Sequence, residues 1–415
     1  MALINEDYLK LPENYLFSEI NKKINIFKAM RPNSKVIHLD AGDSSAILKG
    51  KVAKALHRSV DELTDKSGDS LLSDIGELKK SLISKILKTD YEARGVRLSH
   101  DEIFLSDNAK NTAEDINEII SRDNIVGILD PNYPAYIYSN VMNGRAGEKM
   151  NDGRWSNLVY IPCNWNNNFT PDFPQEKLDV IYLSLPNNPT GATLTFSELK
   201  KWVKYAIDNH ALIIFDAAHE HYITESDVPH SIYEIKGAKK VAVEIRSFSK
   251  TTGFTGSNFS FVIVPKEVTA FTMTGEAVSL NKIWQKRLTS KFSGIPYITL
   301  RTAEALYSPE GLAERKELAM YYMKNAKIIR ETVSKIGLKV HGGINSPYVW
   351  VKTPQDVSSW KFFEMLLYKA NIVCTPGVGF CPGGEGSVRF TGFCKREDVE
   401  EAMKRLMLFK SSIPF

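Results

Sequence analysis

The chain has 415 residues, of which 43% are hydrophobic and 25% charged, and its 53 basic and 49 acidic residues leave a formal net charge of +4. This composition is typical of a soluble globular protein, and the length predicts two or three domains at roughly 100–200 residues each, with two favoured. The charges are interspersed, so we expect neither nucleic-acid nor membrane-surface binding. The polar first residues and the lack of an apolar run of about 18 residues predict no signal peptide and no membrane span.

The four cysteines are far apart in the sequence. Their positions are Cys163, Cys374, Cys381 and Cys394. This spacing fits neither a zinc site nor a disulfide framework, so we expect a reduced, cytoplasmic protein without a metal site.

The N-terminal part of the chain contains one short strand and a helical region. Residues 36–39 have a strand pattern and lead into a turn at Gly42. Residues 50–90 have a helical pattern that is interrupted around Ser67-Gly68-Asp69-Ser70. These residues precede the first buried strand of the central part of the chain.

Short apolar runs alternate with amphipathic helices through the middle of the chain. The predicted strands are residues 103–106, 125–129, 180–185, 211–215, 241–245 and 259–264. Between them, Thr195 and Glu198 form a capping box at the start of a helix whose apolar face includes Trp202 and Ile207. Continuous apolar strands between helices indicate an α/β fold, with a mainly parallel central sheet sandwiched by helices.

Polar and aromatic side chains follow several of these strands directly. They are Tyr133, Asn188, Asp216 and Lys250. In parallel sheets, functional residues gather at the carboxyl ends of the strands. The sequence therefore predicts a site at this edge of the sheet.

The pattern changes after about residue 295. A long helical region is followed by short strands at residues 338–340, 348–351, 372–374 and 388–390, which predict a smaller α+β domain. We expect an N-terminal arm and part of the small domain in residues 1–48, a large domain in 49–296, and the rest of the small domain in 297–415.

The stretch Ser247-Phe248-Ser249-Lys250 follows the predicted strand at residues 241–245. A lysine at the mouth of a buried strand loses hydration, which lowers the pKa of its amine and makes it a nucleophile. Such an amine can form a Schiff base with the aldehyde of pyridoxal phosphate (PLP). The serine hydroxyls, or the helix N-terminus at Asn108-Ala109-Lys110, are suited to hold a phosphate.

Four further residues match what PLP chemistry requires. Asp216 would pair with the pyridinium nitrogen, Tyr133 would stack on the ring, and Asn188 would hydrogen-bond the ring oxygen. Arg389 would bind the α-carboxylate of the substrate. Asp216, Asn188 and Arg389 also have ordinary structural interpretations, as a strand-end cap, part of a proline-rich turn and a surface strand residue. Together the residues favour a PLP site with Lys250, Asp216 and Tyr133 as catalytic residues.

These residues lie in motifs that resemble those of the fold-type I, class I/II PLP-dependent aminotransferases. The motifs are Pro186-Asn187-Asn188-Pro189-Thr190-Gly191, Asp216-Ala217-Ala218, Ser247-x-Ser249-Lys250 and Arg389. Within this family the chain is most similar to the LL-diaminopimelate aminotransferases, through Leu11 to Phe17, Arg246 to Gly256, Tyr307 to Gly311 and Ser358 to Trp360.

The resemblance covers nearly the whole chain and has three further implications. It implies a homodimer that converts an L-amino acid and a 2-oxo acid. It also implies phosphate contacts from Asn108, Ala109, Lys110, Ser247 and Ser249. Finally, it implies that Tyr15 and Gly42 face the substrate, together with Asn188.

The chain departs from the family pattern at several positions. Asn258 stands where the family has an arginine that pairs with the phosphate, and Leu71 stands in place of a tyrosine that reaches the phosphate of the partner subunit. His219 replaces a tyrosine near the ring oxygen, and Ser293 replaces an interface asparagine. We expect both Asn258 and His219 to be among the cofactor-binding residues. These differences lead us to expect a substrate other than diaminopimelate. Two alternatives remain open at this stage: a PLP-dependent lyase, cyclase or oxidase, and a pseudoenzyme that has lost PLP.

Overall fold

The structure is a computed structural model that describes residues 1–12, 16–42, 44, 50–250, 258–291, 294–355 and 357–410. These residues form the α-helices α1 (Leu16–Met30), α2 (Gly50–Asp65), α3 (Gly68–Ile86), α4 (Ala109–Asn117), α5 (Ala135–Met142), α6 (Phe196–Asn209), α7 (Leu280–Lys291), α8 (Tyr297–Leu306), α9 (Pro309–Lys335), α10 (Ser359–Ala370) and α11 (Arg396–Phe409). The predicted interruption after α2 is confirmed, because Ser67 caps α3 by accepting a hydrogen bond from the Ser70 amide.

The strands of the described residues are β1 (Ile37–His38), β2 (Ile103–Ser106), β3 (Val126–Asp130), β4 (Leu158–Pro162), β5 (Val180–Ser184), β6 (Leu212–Asp216), β7 (Ala242–Ser247), β8 (Ser260–Ile263), β9 (Thr269–Phe271), β10 (Ala277–Ser279), β11 (Val340–Gly342), β12 (Tyr348–Lys352), β13 (Ile372–Val373), β14 (Thr375–Pro376) and β15 (Ser387–Thr391). The predicted strands are all found, with their ends shifted by one or two residues. The strands β4, β9, β10 and β14 were not predicted from the sequence.

The central sheet has seven strands in the order β2-β8-β7-β6-β5-β3-β4. The strands from β7 to β4 are parallel, whereas β8 is antiparallel to both of its neighbours. Every residue of β3, β5, β6 and β7 is buried, as expected for strands covered by helices on both faces. The predicted α/β fold is therefore confirmed, and the parallel strands end at one edge of the sheet.

A second, four-stranded antiparallel sheet has the order β11-β12-β15-β14. Its hydrophobic core combines the N-terminal and C-terminal parts of the chain, because Ile24 and Phe27 of α1 belong to the same buried cluster as Phe362 and Leu366 of α10. This shared core supports the proposal that the first residues belong to the small domain. The boundary at residue 296 stays a prediction; the helix that follows it, α8, packs with Leu300 in the core of the large sheet.

The helix α6 shows how local sequence sets the surroundings of the sheet. Thr195 and Glu198 form the predicted capping box, with the Glu198 carboxylate accepting from the Thr195 amide at 2.8 Å. The buried face includes Trp202, as predicted. Ile207 was assigned to the same face, but it is 39% exposed because it lies at the margin of the apolar stripe.

Within the described part of the chain, no helix is both long and apolar enough to cross a membrane. The four cysteines are all buried free thiols. Among the same described residues, no cluster of histidine, cysteine and acidic side chains has the make-up of a metal site.

Candidate active site

Asp216 is the last residue of β6, at the edge of the sheet where the parallel strands end. Its carboxylate accepts hydrogen bonds from the Ala218 amide at 3.0 Å, from the Ser184 hydroxyl at 3.2 Å and from the Tyr136 hydroxyl. Burial raises the pKa of the Asp216 carboxyl, and the hydrogen bonds oppose that rise. All three donors are neutral, so this buried carboxylate is well placed to receive a cationic group.

Tyr133 lies in the turn between β3 and α5 and is half-buried. Its ring makes an edge contact with the ring of Tyr136, with centroids 6.0 Å apart. The sequence had indicated Tyr133 alone. The role of Tyr136, which lies one helical turn further on, was missed because the sequence does not show that its hydroxyl meets Asp216.

Asn188 and Arg389 are brought together from the two sheets, 201 residues apart in sequence. The Arg389 guanidinium donates to the Asn188 side-chain oxygen at 2.7 Å and to the Asp40 carbonyl at 3.0 Å. It also lies over the rings of Tyr348 and Phe380, at 4.5 and 4.8 Å from their centroids. This buried, oriented guanidinium is suited to bind a carboxylate in two-point geometry.

Lys250 follows β7 and is partly buried. Its amine donates to the Gly42 carbonyl at 2.6 Å, and its own carbonyl accepts from the Tyr222 hydroxyl at 2.6 Å. Gly42, predicted to face the substrate, therefore lies against the predicted nucleophile. The lysine is held at both its backbone and its side chain, which limits the positions its amine can reach.

His219 is a buried residue three positions after Asp216, and its Nε2 lies 3.2 Å from the Tyr348 hydroxyl. Burial, together with repulsion from the charges of Lys250 and Arg389, lowers the pKa of His219 to about 3. His219 is therefore neutral at physiological pH, and it lies close enough to both predicted ligand-binding cations to feel their charge.

The residues predicted to bind the phosphate lie beside the end of β7. Strand register aligns Ser247 with Ser260 and Ser260 with Ser106, which brings the N-terminus of α4 toward the same edge of the sheet. At that N-terminus the Asn108 side chain accepts from the Lys110 amide at 2.8 Å. Ala109 is the first residue of α4, where free backbone amides favour an anion.

Ser249, also predicted to bind the phosphate, donates a hydrogen bond from its hydroxyl to the Asn258 side-chain oxygen at 3.1 Å. Asn258 has a φ of 38°, in the left-handed region that asparagine tolerates better than most residues. An amide oxygen thus faces the serine that was predicted to bind phosphate. A doubly charged phosphate gains more from a cation than from this amide.

We therefore expect Asn258→Arg to bind PLP more tightly than the unchanged protein, by roughly ten- to a hundredfold, which corresponds to one charge-assisted hydrogen bond. Fluorescence titration of the cofactor-free protein with PLP measures the affinity. Asn258→Gln is the matched control, because it places a longer side chain on the same left-handed backbone without adding charge. An unchanged affinity in Asn258→Arg would mean that another residue already fills this role.

Two predicted positions, Tyr15 and Ser293, lie outside the described residues. Leu71 lies in the first turn of α3, where its amide donates to the Ser67 carbonyl at 3.0 Å. The segment around Leu71 is therefore part of a helix.

A buried ionic cluster lies behind the site and joins the loop after β6 to β7. Glu220 pairs with Arg246 at 2.7 Å and with the ring nitrogens of His221 and His230 at 2.6 and 2.8 Å, and Arg246 pairs with Glu244 at 2.7 Å. Burial alone would raise the pKa of the Glu220 carboxyl, but attraction from His221 and Arg246 and its hydrogen bonds hold it well below 4.5. This cluster was not predicted from the sequence.

Removing the charge in Glu220→Gln is expected to lower the free energy of unfolding by roughly 3–5 kcal/mol, because it leaves the Arg246 charge buried with one partner fewer. The Glu220 contribution is present above its unfolded pKa and is lost as pH falls through its depressed folded pKa, so the deficit of the variant shrinks in acid. Urea unfolding at neutral and acidic pH measures both effects. Asp208→Asn, at an exposed pair with Lys204, is the control, and we expect it to cost less than about 1 kcal/mol. An equal loss in both variants would contradict the prediction.

Comparison with known proteins gives consistent matches along the chain. Residues 34–406 match the family described as aminotransferase class I and II. LL-diaminopimelate aminotransferase from Phocaeicola vulgatus is 53% identical over 98% of this chain and 99% of its own length. The corresponding enzyme from Methanosphaera stadtmanae is 46% identical over 97% of this chain and 98% of its own length.

Solved structures give the same result for the fold. The L,L-diaminopimelate aminotransferase from Chlamydomonas reinhardtii superposes with a TM-score of 0.90 at 34% identity, covering 99% of both chains. An aspartate aminotransferase from Thermotoga maritima has a TM-score of 0.79 at 19% identity, covering 98% of this chain and 99% of its own. At that identity the second likeness concerns the fold alone.

Proposed function

This chain belongs to the class I and II aminotransferases, and we propose that it transfers the amino group of LL-diaminopimelate to a 2-oxo acid, with PLP as cofactor. The full-length similarity to LL-diaminopimelate aminotransferases carries the choice of substrate. The expectation of a different substrate is not supported, because these relatives carry the name of the diaminopimelate enzyme.

The chemistry of the donor set fits PLP. Asp216 is a buried carboxylate with three neutral donors, and a pyridinium nitrogen would supply the positive charge that its hydrogen-bond partners lack. When bound, PLP supplies an electron sink for the charge that develops at the substrate α-carbon. We assign Tyr133 and Asn188 to the cofactor ring, and Ser247 and Ser249 to its phosphate.

The N-terminus of α4 would also contribute to holding the phosphate. We assign Asn108, Ala109 and Lys110 to it, because the first amides of a helix favour an anion. Asn258 is assigned to the same end through its contact with Ser249.

The residues of this chain divide the remaining tasks between them. Arg389 binds the α-carboxylate of the substrate and so fixes the direction of the bond from the α-carbon to its hydrogen. The Lys250 amine is the nucleophile toward the cofactor aldehyde, and once released it takes and returns the proton at the α-carbon as a general base and acid. Gly42 and Tyr15 are assigned to the substrate, Gly42 because its carbonyl holds the Lys250 amine.

A half-reaction experiment tests this proposal. Holoenzyme is mixed with LL-diaminopimelate alone, and the visible spectrum is followed for conversion of PLP to its amine form, with a panel of other L-amino acids as comparison. Fast conversion with LL-diaminopimelate supports the proposal. Conversion only with another amino acid would refute the substrate, and turnover without conversion would indicate lyase, cyclase or oxidase chemistry.

We also propose that the chain forms a homodimer in the cytoplasm. Exposed apolar side chains in its first residues, including Leu3, Ile4 and Leu9, would be covered by a second copy. The buried free thiols fit a reducing compartment. Light scattering of the purified protein tests the dimer, and a monomer mass at micromolar concentration would contradict it.

A further inference from the structure

The two ring nitrogens of His219 differ in their contacts. Its Nε2 lies 3.2 Å from the Tyr348 hydroxyl, whereas its Nδ1 is buried and has no hydrogen-bond partner among the residues that the structure describes. Buried polar atoms are almost always paired in native proteins, so an unpaired one requires a ligand or a water molecule. Because His219 lies beside the proposed ligand-binding residues Lys250 and Arg389, a ligand atom is the natural partner of Nδ1.

The contacts of Tyr348 determine which of the two nitrogens carries the proton. Among the described residues, the Tyr348 hydroxyl has two acceptors within reach, His219 Nε2 at 3.2 Å and the Gly42 carbonyl at 3.4 Å. The Gly42 carbonyl already accepts from the charged Lys250 amine at 2.6 Å, so the imidazole nitrogen is both the nearer and the less occupied acceptor. A hydroxyl that donates to Nε2 leaves the single proton of a neutral imidazole on Nδ1.

We propose that Tyr348 is a positioning residue that holds His219 in its Nδ1–H form, so that Nδ1 donates a hydrogen bond to an anionic oxygen of the molecule bound beside Lys250 and Arg389. The ligand part of this proposal rests on the proposed function, whereas the proton position does not. Two oxygens have the required chemistry: the ring oxygen of PLP and a carboxylate of the substrate.

The surroundings of His219 support this arrangement. The imidazole is neutral over the physiological range, because burial and the charges of Lys250 and Arg389 lower the pKa of His219 to about 3. The Tyr348 ring is itself fixed, with the Arg389 guanidinium 4.5 Å from its centroid. Tyr348 therefore connects the carboxylate-binding arginine to the histidine, and its hydroxyl gives the ring of His219 one preferred orientation.

The proton position is measured on cofactor-free protein labelled with ¹⁵N in its histidine rings. The His219 signals are identified by their loss in His219→Asn, and the nitrogen shifts distinguish a protonated from a bare ring nitrogen. We expect a single form with a proton on Nδ1, and a mixture of both forms in Tyr348→Phe. A proton on Nε2 in the unchanged protein would overturn the proposal, and an unchanged single form in Tyr348→Phe would remove Tyr348 from it.

The ligand contact is measured by pH titration of the visible absorbance of the PLP-bound protein without substrate. A donor to the ring oxygen stabilises its anionic form, so loss of that donor raises the midpoint by about one pH unit. His219→Asn and His219→Gln form a matched pair, because the asparagine amide lies where Nδ1 was and the glutamine amide lies nearer to Nε2. We expect the shift in His219→Gln, a smaller one in Tyr348→Phe, and little change in His219→Asn.

The outcomes separate this proposal from the proposed function. If the titration midpoint is the same in the variants and in the unchanged protein, but His219→Gln raises the KM for substrate, then the oxygen that Nδ1 contacts belongs to the substrate. If neither quantity changes in protein that binds PLP, the ligand contact is refuted. A protein that stays colourless with added PLP would refute the proposed function, while the nitrogen shifts would still decide the proton position.

Discussion

Lys250→Ala is expected to abolish the visible absorbance that the unchanged protein acquires with PLP, and to lower amino-group transfer by at least about 10²–10⁴-fold. The amine is both the nucleophile toward the cofactor aldehyde and the group that moves the proton at the substrate α-carbon. No other lysine amine of the described residues is hydrogen-bonded to the Gly42 carbonyl. The measurements are the absorbance with and without borohydride, and the single-turnover rate with LL-diaminopimelate.

The control for this variant is Lys204→Ala, at an exposed lysine of α6 that pairs with Asp208. It removes the same side chain far from the end of β7 and is expected to keep both the absorbance and the rate. If Lys250→Ala kept a borohydride-sensitive absorbance, another amine would be the nucleophile. A loss of both properties in the two variants alike would indicate a folding defect.

The main sheet was predictable because its strands are buried on both faces. A strand such as Val126–Asp130 is covered by helices above and below, so nearly every residue is apolar and the run stands out in the sequence. The edge strand Leu158–Pro162, which is only partly buried, was not predicted. Its residues Leu158-Val159-Tyr160-Ile161 form a short continuous apolar run, so the sequence did contain the signal by which the other strands were predicted.

Three main residues of the candidate site were also predictable, because they lie at the ends of buried strands. Asp216 ends a buried strand, Asn188 and Lys250 follow one, and parallel topology brings such positions to one edge of the sheet. The contacts behind them were not predictable. Lys250 meets the Gly42 carbonyl across 208 residues of sequence, and Tyr348 reaches His219 across 129. These contacts depend on how the small sheet packs on the large one, and no local sequence pattern predicts that packing.

Asp216→Asn is expected to reduce amino-group transfer by roughly 10²–10³-fold, because it removes one partner of a buried charge pair with the cofactor nitrogen. The neutral amide can no longer favour the protonated ring that accepts electrons from the substrate. Ser184→Ala is the graded control: it removes one neutral donor 3.2 Å from the same carboxylate and keeps the charge. We expect it to lower the rate by less than about tenfold. Equal losses in the two variants would show that the charge of Asp216 is not the important property.

Asp216→Asn is also expected to stabilise the protein when PLP is absent. This result would distinguish a charge that is needed for function from one that is needed for the fold. Burial raises the pKa of the Asp216 carboxyl, so its ionisation costs folding free energy, and that cost grows as pH rises above the unfolded pKa. Asparagine keeps an acceptor for the Ala218 amide, and the hydroxyls of Tyr136 and Ser184 can turn to accept from its amide. Urea unfolding of the cofactor-free proteins should therefore give Asp216→Asn an equal or higher free energy of unfolding at neutral pH, with the advantage shrinking in acid. A less stable variant would mean that the carboxylate is needed by the fold itself.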